Sequence, residues 1–144
     1  MLGIYTSMAT FDPYDVKASV QTYNVDALEA DEFFRKSTDL ANQVHDLWKH
    51  ISDNPRWSNL FSQAVRAAES IPLNYAEGQA KLLGYCRAGY LTARGSAYEL
   101  YAALSIGPES FRALKPTCKV VIASLDAAIL QLPERSDRAY WKNR

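Results

Sequence analysis

In Leu83-Gly84-Tyr85-Cys86-Arg87-Ala88-Gly89-Tyr90-Leu91-Thr92-Ala93-Arg94-Gly95-Ser96-Ala97-Tyr98-Glu99-Leu100-Tyr101-Ala102-Ala103-Leu104, the residues Leu83, Cys86, Tyr90, Ala93, Ala97, Leu100 and Leu104 recur at alternating steps of three and four. Steps of that kind put them on one face of an α-helix, which turns once in roughly 3.6 residues. Gly107 and Pro108 then follow in the order that ends a helix. Ala93, Gly95, Ser96 and Ala97, small and central, would let a neighbouring backbone come close.

Three more segments carry the same signal. Downstream, Phe111, Leu114, Cys118, Val121, Leu125, Ala128 and Leu132 repeat the period; Pro133 closes it, and Pro116 predicts a short first turn before the longer helix. Upstream, Trp57, Leu60, Phe61, Ala64, Val65, Ala68 and Ile71 form a stripe interrupted by Pro72. Proline removes an amide donor and crowds the carbonyl four residues back, here that of Ala68, so a kink is predicted because helix-compatible residues resume from Leu73 to Lys81. The chain is expected to reverse around Gly78 and Gly84. The first segment, Asp26 to Ile51, opens with Asp26 and Glu29 spaced as a capping box. Its stripe is Phe33, Leu40, Val44, Leu47 and Ile51, widened by Phe34, Ala41 and Trp48, and Ser52 to Pro55 break it.

Four amphipathic segments joined by short connections predict an all-α fold, an antiparallel up-down-up-down four-helix bundle with a proline-kinked second helix. The bundle spans residues 26–133, between an N-terminal extension, 1–25, expected to be extended or poorly ordered, and a C-terminal tail, 134–144. A chain of 144 residues, 48% hydrophobic, can bury one such core and not two.

Sixteen Lys and Arg balance sixteen Asp and Glu, so no bulk field draws the molecule onto nucleic acid or an anionic membrane. The balance is local: residues 26–51 carry six acids and three bases, whereas 56–94 carry five bases and two acids. Residues 109–144 hold seven bases and four acids. Cys86 and Cys118 both fall on apolar stripes, where a reduced thiol acts as a small hydrophobe. Met1 to Thr10 lacks the basic and apolar regions of a signal peptide, and no apolar run is long enough to span a bilayer. A soluble, cytoplasmic chain without a membrane partner is expected.

Two stretches go beyond generic helix sequence: Ser70-Ile71-Pro72-Leu73-Asn74-Tyr75-Ala76-Glu77-Gly78 and Ala93-Arg94-Gly95-Ser96-Ala97-Tyr98-Glu99-Leu100. Together they resemble the signature of the bacterial four-helix-bundle family first noted in open reading frames within intervening sequences of 23S ribosomal RNA genes. That family reads Ser-Ile-Pro-x-Asn-Ile-Ala-Glu-Gly and Ala-x-Gly-Ser-x-x-Glu-Leu on its second and third helices. The resemblance covers residues 30–132 and departs at Tyr75 and from Gln79 to Gly84. It implies a homo-oligomer in the form of a pentameric ring. The related accessory variability proteins of diversity-generating retroelements further imply a reverse transcriptase and its RNA as partners.

Arg66, Asn74, Glu77, Ser96 and Glu99 are polar residues set into apolar helices. As a structural polar network they would satisfy backbone groups freed by Pro72, with Glu77 or Glu99 paired with Arg66 or Arg94. Alternatively, Glu77 and Glu99 form a carboxylate pair for acid/base work or a divalent metal. Against that stands the absence of any Glu-x-x-His pair, and His45 and His50 are five apart, on different helix faces. No arginine precedes either histidine at the spacing of the small helical nucleases, and no nucleophile motif or phosphate-binding glycine loop occurs. No catalytic residue, metal ligand or cofactor is therefore assigned.

Arg87 and Arg94 share one helix face with Lys81 a turn and a half earlier. With Arg56, Arg135 and Arg138 they are the candidate nucleic-acid or partner contacts, and Tyr75, Tyr85, Tyr98 and Tyr101 are candidates for oligomer contacts. The expected role is a non-catalytic oligomeric scaffold for a protein or ribonucleoprotein partner, with the accessory subunit of a retroelement reverse transcriptase as the form the resemblance implies. A directly RNA-binding ring is the alternative, and an enzyme using Glu77 and Glu99 is the rival from another class.

Overall fold

The computed structural model describes residues 15–51, 54–81 and 85–132; Leu83, Gly84, Pro133 and the tail with Arg135 and Arg138 lie outside them, as do residues 1–14. Among the described residues the chain is all-helical, with no strand. Seven α-helices follow in order: α1 (Val16–Thr22), α2 (Val25–Ala30), α3 (Glu32–His45), α4 (Pro55–Ala80), α5 (Cys86–Ile106), α6 (Glu109–Arg112) and α7 (Lys115–Leu130). A 3₁₀ turn, Asp46–His50, extends α3.

Local chemistry sets the boundaries. Asp15, Asn24, Asp31 and Asn54 each cap a helix by accepting a hydrogen bond from an amide just inside it, that of Ala18, Ala27, Phe34 and Arg56 respectively. Pro55 occupies the first position of α4, where its missing N–H costs nothing. Two expectations are corrected by these caps. Residues 16–22 of the supposed extension are helical, because Asp15 nucleates a turn that the apolar pattern alone does not signal. The first segment is divided at Asp31, whose extended backbone ends α2 and caps α3; Asp26 lies in the first turn of α2 behind the true cap, Asn24.

The long helices pack together. Between α3 and α4, Phe33 meets Tyr75 at 4.5 Å between ring centroids and His45 meets Phe61 at 6.5 Å, so rising numbers on one helix pair with falling numbers on the other. Between α4 and α5, Ser70 faces Ser96 and Gly78 faces Gly89. Between α5 and α7, Arg94 faces Asp126 and the Cys118 thiol points to the Ala97 carbonyl at 3.7 Å. Contacts between α3 and α7 close the circuit.

The stripes read from sequence form the core. Leu40, Val44, Ala64, Ala68, Ile71, Cys86, Ala93, Ala97, Leu100, Leu104, Phe111, Cys118 and Leu125 are all fully buried. Removing a side chain of the Leu or Phe class from water contributes about 1.5–3 kcal/mol. Trp48 departs from expectation: it is 55% exposed. The 3₁₀ turn beginning at Asp46 advances by more than 100° per residue and carries Trp48 off the buried face.

α4 runs unbroken from Pro55 to Ala80 through the buried Pro72. A close backbone approach lies further along, at Gly78 and Gly89. A Cβ on Gly89 would stand 2.7 Å from both the Asn74 carbonyl oxygen and the Gly78 Cα. Gly95, expected to serve close packing, has nothing within 4 Å of its Cβ position and looks outward.

Candidate functional site

The five residues expected to form one polar network are only partly united. Asn74 donates from Nδ2 to the Ser70 carbonyl at 2.9 Å and to the Ser70 Oγ at 2.7 Å, and that Oγ meets Ser96 Oγ at 2.8 Å. This chain of three side chains ties one signature stretch to the other. Arg66, Glu77 and Glu99 are exposed and take no part in it. Glu77 pairs with Lys81 at 3.3 Å along the same helix. Its level on α4 corresponds to Gly89 and Tyr90 on α5, and Glu99 lies nine or ten residues further on, about 14 Å along the axis at helical rise. The carboxylate pair is therefore corrected: the two acids face solvent at different levels and enclose no cleft. Among the described residues, no three His, Cys, Asp or Glu side chains are grouped to hold a metal ion.

Two of the candidate basic contacts have acidic neighbours. Lys81 is held by Glu77, and the Arg94 Nε donates to Asp126 Oδ1 at 2.6 Å while its Nη2 donates to the Tyr98 hydroxyl at 3.0 Å. Asp126, hydrogen-bonded and close, holds the Arg94 guanidinium still further above its ordinary value. Arg56 lies over the Trp57 ring at 4.5 Å, and Arg87 is half-buried on α5. Arg135 and Arg138 lie outside the described residues. Of these candidate contacts, Lys81 and Arg94 are paired with acids, while Arg56 lies on an aromatic ring.

A different surface emerges on the second half of the fold. On α5, opposite the core stripe, Ala88, Leu91, Gly95, Tyr98, Ala102 and Ile106 are spaced three, four, three, four and four apart. Of these Leu91 is 49% exposed, Tyr98 51% and Ile106 62%. On α7, Pro116, Val120, Ala123, Ala127 and Leu130 form a second exposed stripe at helical spacing. Each face also carries an exposed charge: Glu99 lies four residues after Gly95 and three before Ala102, and Lys119 lies three after Pro116 and four before Ala123. A groove of about 250 Å³, lined by Tyr98, Tyr101, Lys119 and Ile122, runs between the two helices, with Lys115 over the Tyr101 ring at 5.0 Å. The outward faces of α3 and α4 differ in kind: they carry Glu32, Arg35, Asp39, Arg66, Glu69 and Glu77, all exposed.

A helix that is apolar on both sides ordinarily has both sides covered. The spacing of Leu91, Tyr98, Ala102 and Ile106 is present in the sequence beside the stronger stripe that begins at Leu83. Of the tyrosines singled out, Tyr98 and Tyr101 belong to this surface and Tyr85 is exposed nearby in the chain. Tyr75 does not: it is buried, stacked on Tyr90 at 4.4 Å between centroids, with its hydroxyl donated to Asp31.

Comparison of the sequence with protein-family models and with curated proteins gives no match. Among the described residues no helix is long and apolar enough to cross a membrane.

Proposed function

We propose that this chain is a non-catalytic, cytoplasmic scaffold: an up-down-up-down four-helix bundle of α3, α4, α5 and α7, bent at Pro72, that assembles with copies of itself and presents the assembly to a protein or ribonucleoprotein partner. The observation that carries the reading is the pair of exposed, largely apolar outer stripes on α5 and α7, each with one charge of opposite sign, Glu99 and Lys119, on the same face. A second copy is the occupant that fits best, since the molecule has no net charge to oppose self-association. The acidic first segment and the basic segments after it also offer complementary flanks. A ring, with five members by the resemblance, would use both stripes of every subunit.

The partner of such an assembly is a protein such as a retroelement reverse transcriptase in preference to bare RNA. Supporting this order, Lys81 and Arg94 are already engaged by Glu77 and Asp126 and would have to give up those partners to reach phosphates.

The test is the mass in solution by light scattering across a concentration series, for the native chain and for Ala102→Glu combined with Val120→Glu. A multiple of the monomer mass that falls to the monomer in the double variant, with helical circular dichroism retained, supports the proposal. A native chain that stays monomeric at every concentration removes it.

A further inference from the structure

α5 and α7 pack against each other, and two contacts fix their relative height: the Arg94 Nε donates to Asp126 Oδ1 at 2.6 Å, and the Cys118 thiol reaches the Ala97 carbonyl at 3.7 Å. Rising numbers on α5 therefore match falling numbers on α7. The exposed positions obey the same rule. Leu91, Tyr98 and Ala102 stand seven and then four residues apart on α5, and Ala127, Val120 and Pro116 stand seven and then four apart on α7 in the opposite direction. At helical rise, Leu91 shares a level with Ala127, Tyr98 with Val120 and Ala102 with Pro116, each to within about a turn.

The charges follow the apolar residues. Glu99 comes one position after Tyr98 and Lys119 one position before Val120, so the acid of one stripe and the base of the other stand at the same level. Both are exposed, and among the described residues neither forms an ion pair within the chain. Arg66 on α4 stands at nearly the level of Glu99, since Ser70 faces Ser96, yet it too is exposed and does not pair with it.

Matched heights have a geometrical consequence for a second copy. Rotation about an axis parallel to the helices moves no residue along that axis, so it brings α7 of the second copy against α5 with every level kept. Leu91 then meets the partner's Ala127, Tyr98 meets the partner's Val120, and an acid meets a base. An axis across the helices would reverse the levels and lose the match. We propose that α5 of one copy packs on α7 of the next about an axis parallel to the helices, with Glu99 ion-paired to the partner's Lys119. The contact rests on the self-association proposed above and gives it a register. A slip by one helical turn would set Glu99 against an apolar position such as that of Ala123 or Pro116 and strand both charges, so the pair disfavours neighbouring registers.

Light scattering over a concentration series compares the full native chain with Glu99→Lys, with Lys119→Glu and with the double variant, each checked for retained helical circular dichroism. A single reversal sets like charges against one another at every contact and is expected to raise the concentration of half-assembly at least about tenfold, which corresponds to about 1.4 kcal/mol. The double variant restores opposite charges and is expected to assemble near the native concentration. A Glu99→Cys chain mixed with a Lys119→Cys chain and treated with a short bis-maleimide is expected to give a cross-linked pair of the two chains, a product that an intrachain partner such as Arg66 could not yield. Cys86 and Cys118 are buried, and these neutral substitutions carry the test where a charge reversal unfolds the chain. Glu77→Cys in place of Glu99→Cys is the control and is expected to cross-link weakly. A native chain that stays monomeric removes the self-association and this contact with it. An assembled native chain unmoved by either reversal, a double variant as weak as the single ones, or a cross-link no stronger than the control would overturn the contact alone.

Discussion

The hydroxyl of Ser70 on α4 lies 2.8 Å from the hydroxyl of Ser96 on α5, so the two signature stretches, more than twenty residues apart in sequence, are joined by a direct hydrogen bond. Asn74 extends the link by donating to both the side chain and the backbone of Ser70. These bonds cross from α4 to α5, next to the helix position where Pro72 contributes no N–H.

Replacing Asn74 by Leu should therefore lower the urea-unfolding free energy by about 1–3 kcal/mol, since the half-buried Ser70 groups lose their donor. Glu77→Gln and Glu99→Gln, both at exposed positions, should each change it by no more than about 0.5 kcal/mol. Equal effects at all three positions would contradict the division between a bonded core network and solvent-facing acids.

Gly89 and Gly95 make opposite predictions from the same substitution. Gly89→Ala drives a Cβ into the Asn74 carbonyl and the Gly78 backbone and should cost about 1–3 kcal/mol. Gly95→Ala meets nothing within 4 Å and gains helix propensity, so it should stabilise the isolated chain by about 0.5–1 kcal/mol. Thermal melts at dilute concentration distinguish the two.

Asp31→Ala removes the α3 cap and leaves the Tyr75 hydroxyl and Gln79 Nε2 without their shared acceptor. A loss of about 2–4 kcal/mol is expected from the cap and the stranded donors together. Asp31→Asn, which can still cap and accept, should cost clearly less in the same urea titration.

Alkaline pH should destabilise the fold. Burial pushes the Cys86 thiol up to about 12 and the Cys118 thiol up to about 11, both from 9.0. Burial also raises the Tyr75 and Tyr90 phenols above their usual 10.0. The unfolded chain releases these protons first, so it binds fewer protons than the native state and stability falls as pH rises. Each thiol contributes at most about 1.4 kcal/mol per pH unit. Melting temperatures should be insensitive to these groups below pH 9 or so and drop between about 9 and 11, with a smaller drop in Cys86→Ala relative to its own neutral-pH value.

Much of the fold was legible because burial and helical period reinforce one another. Wherever apolar residues recur at three and four, as from Cys86 to Leu104 or from Phe111 to Leu132, the inward face is fixed before any neighbour is specified. Caps were harder to read. Asp31 lies within a run of acids and looks like a first-turn residue, yet its extended backbone divides the segment and places its carboxylate between α3 and α4.

The candidate surfaces were less legible for the same physical reason. Asn74 and Ser96 proved to share a network because their hydroxyl and amide lie on facing sides of one helix crossing, whereas Glu77, only three residues from Asn74, rotates out to Lys81. Sequence by itself determined that this chain is helical and which side chains its helices hide, since both follow from local period and composition. Only the packing of one helix on another decided that Asp31, Tyr75, Tyr90 and Gln79 converge and that α5 and α7 keep a largely apolar face in solvent. Such convergence depends on the relative rotation of distant helices, and no local pattern records that quantity.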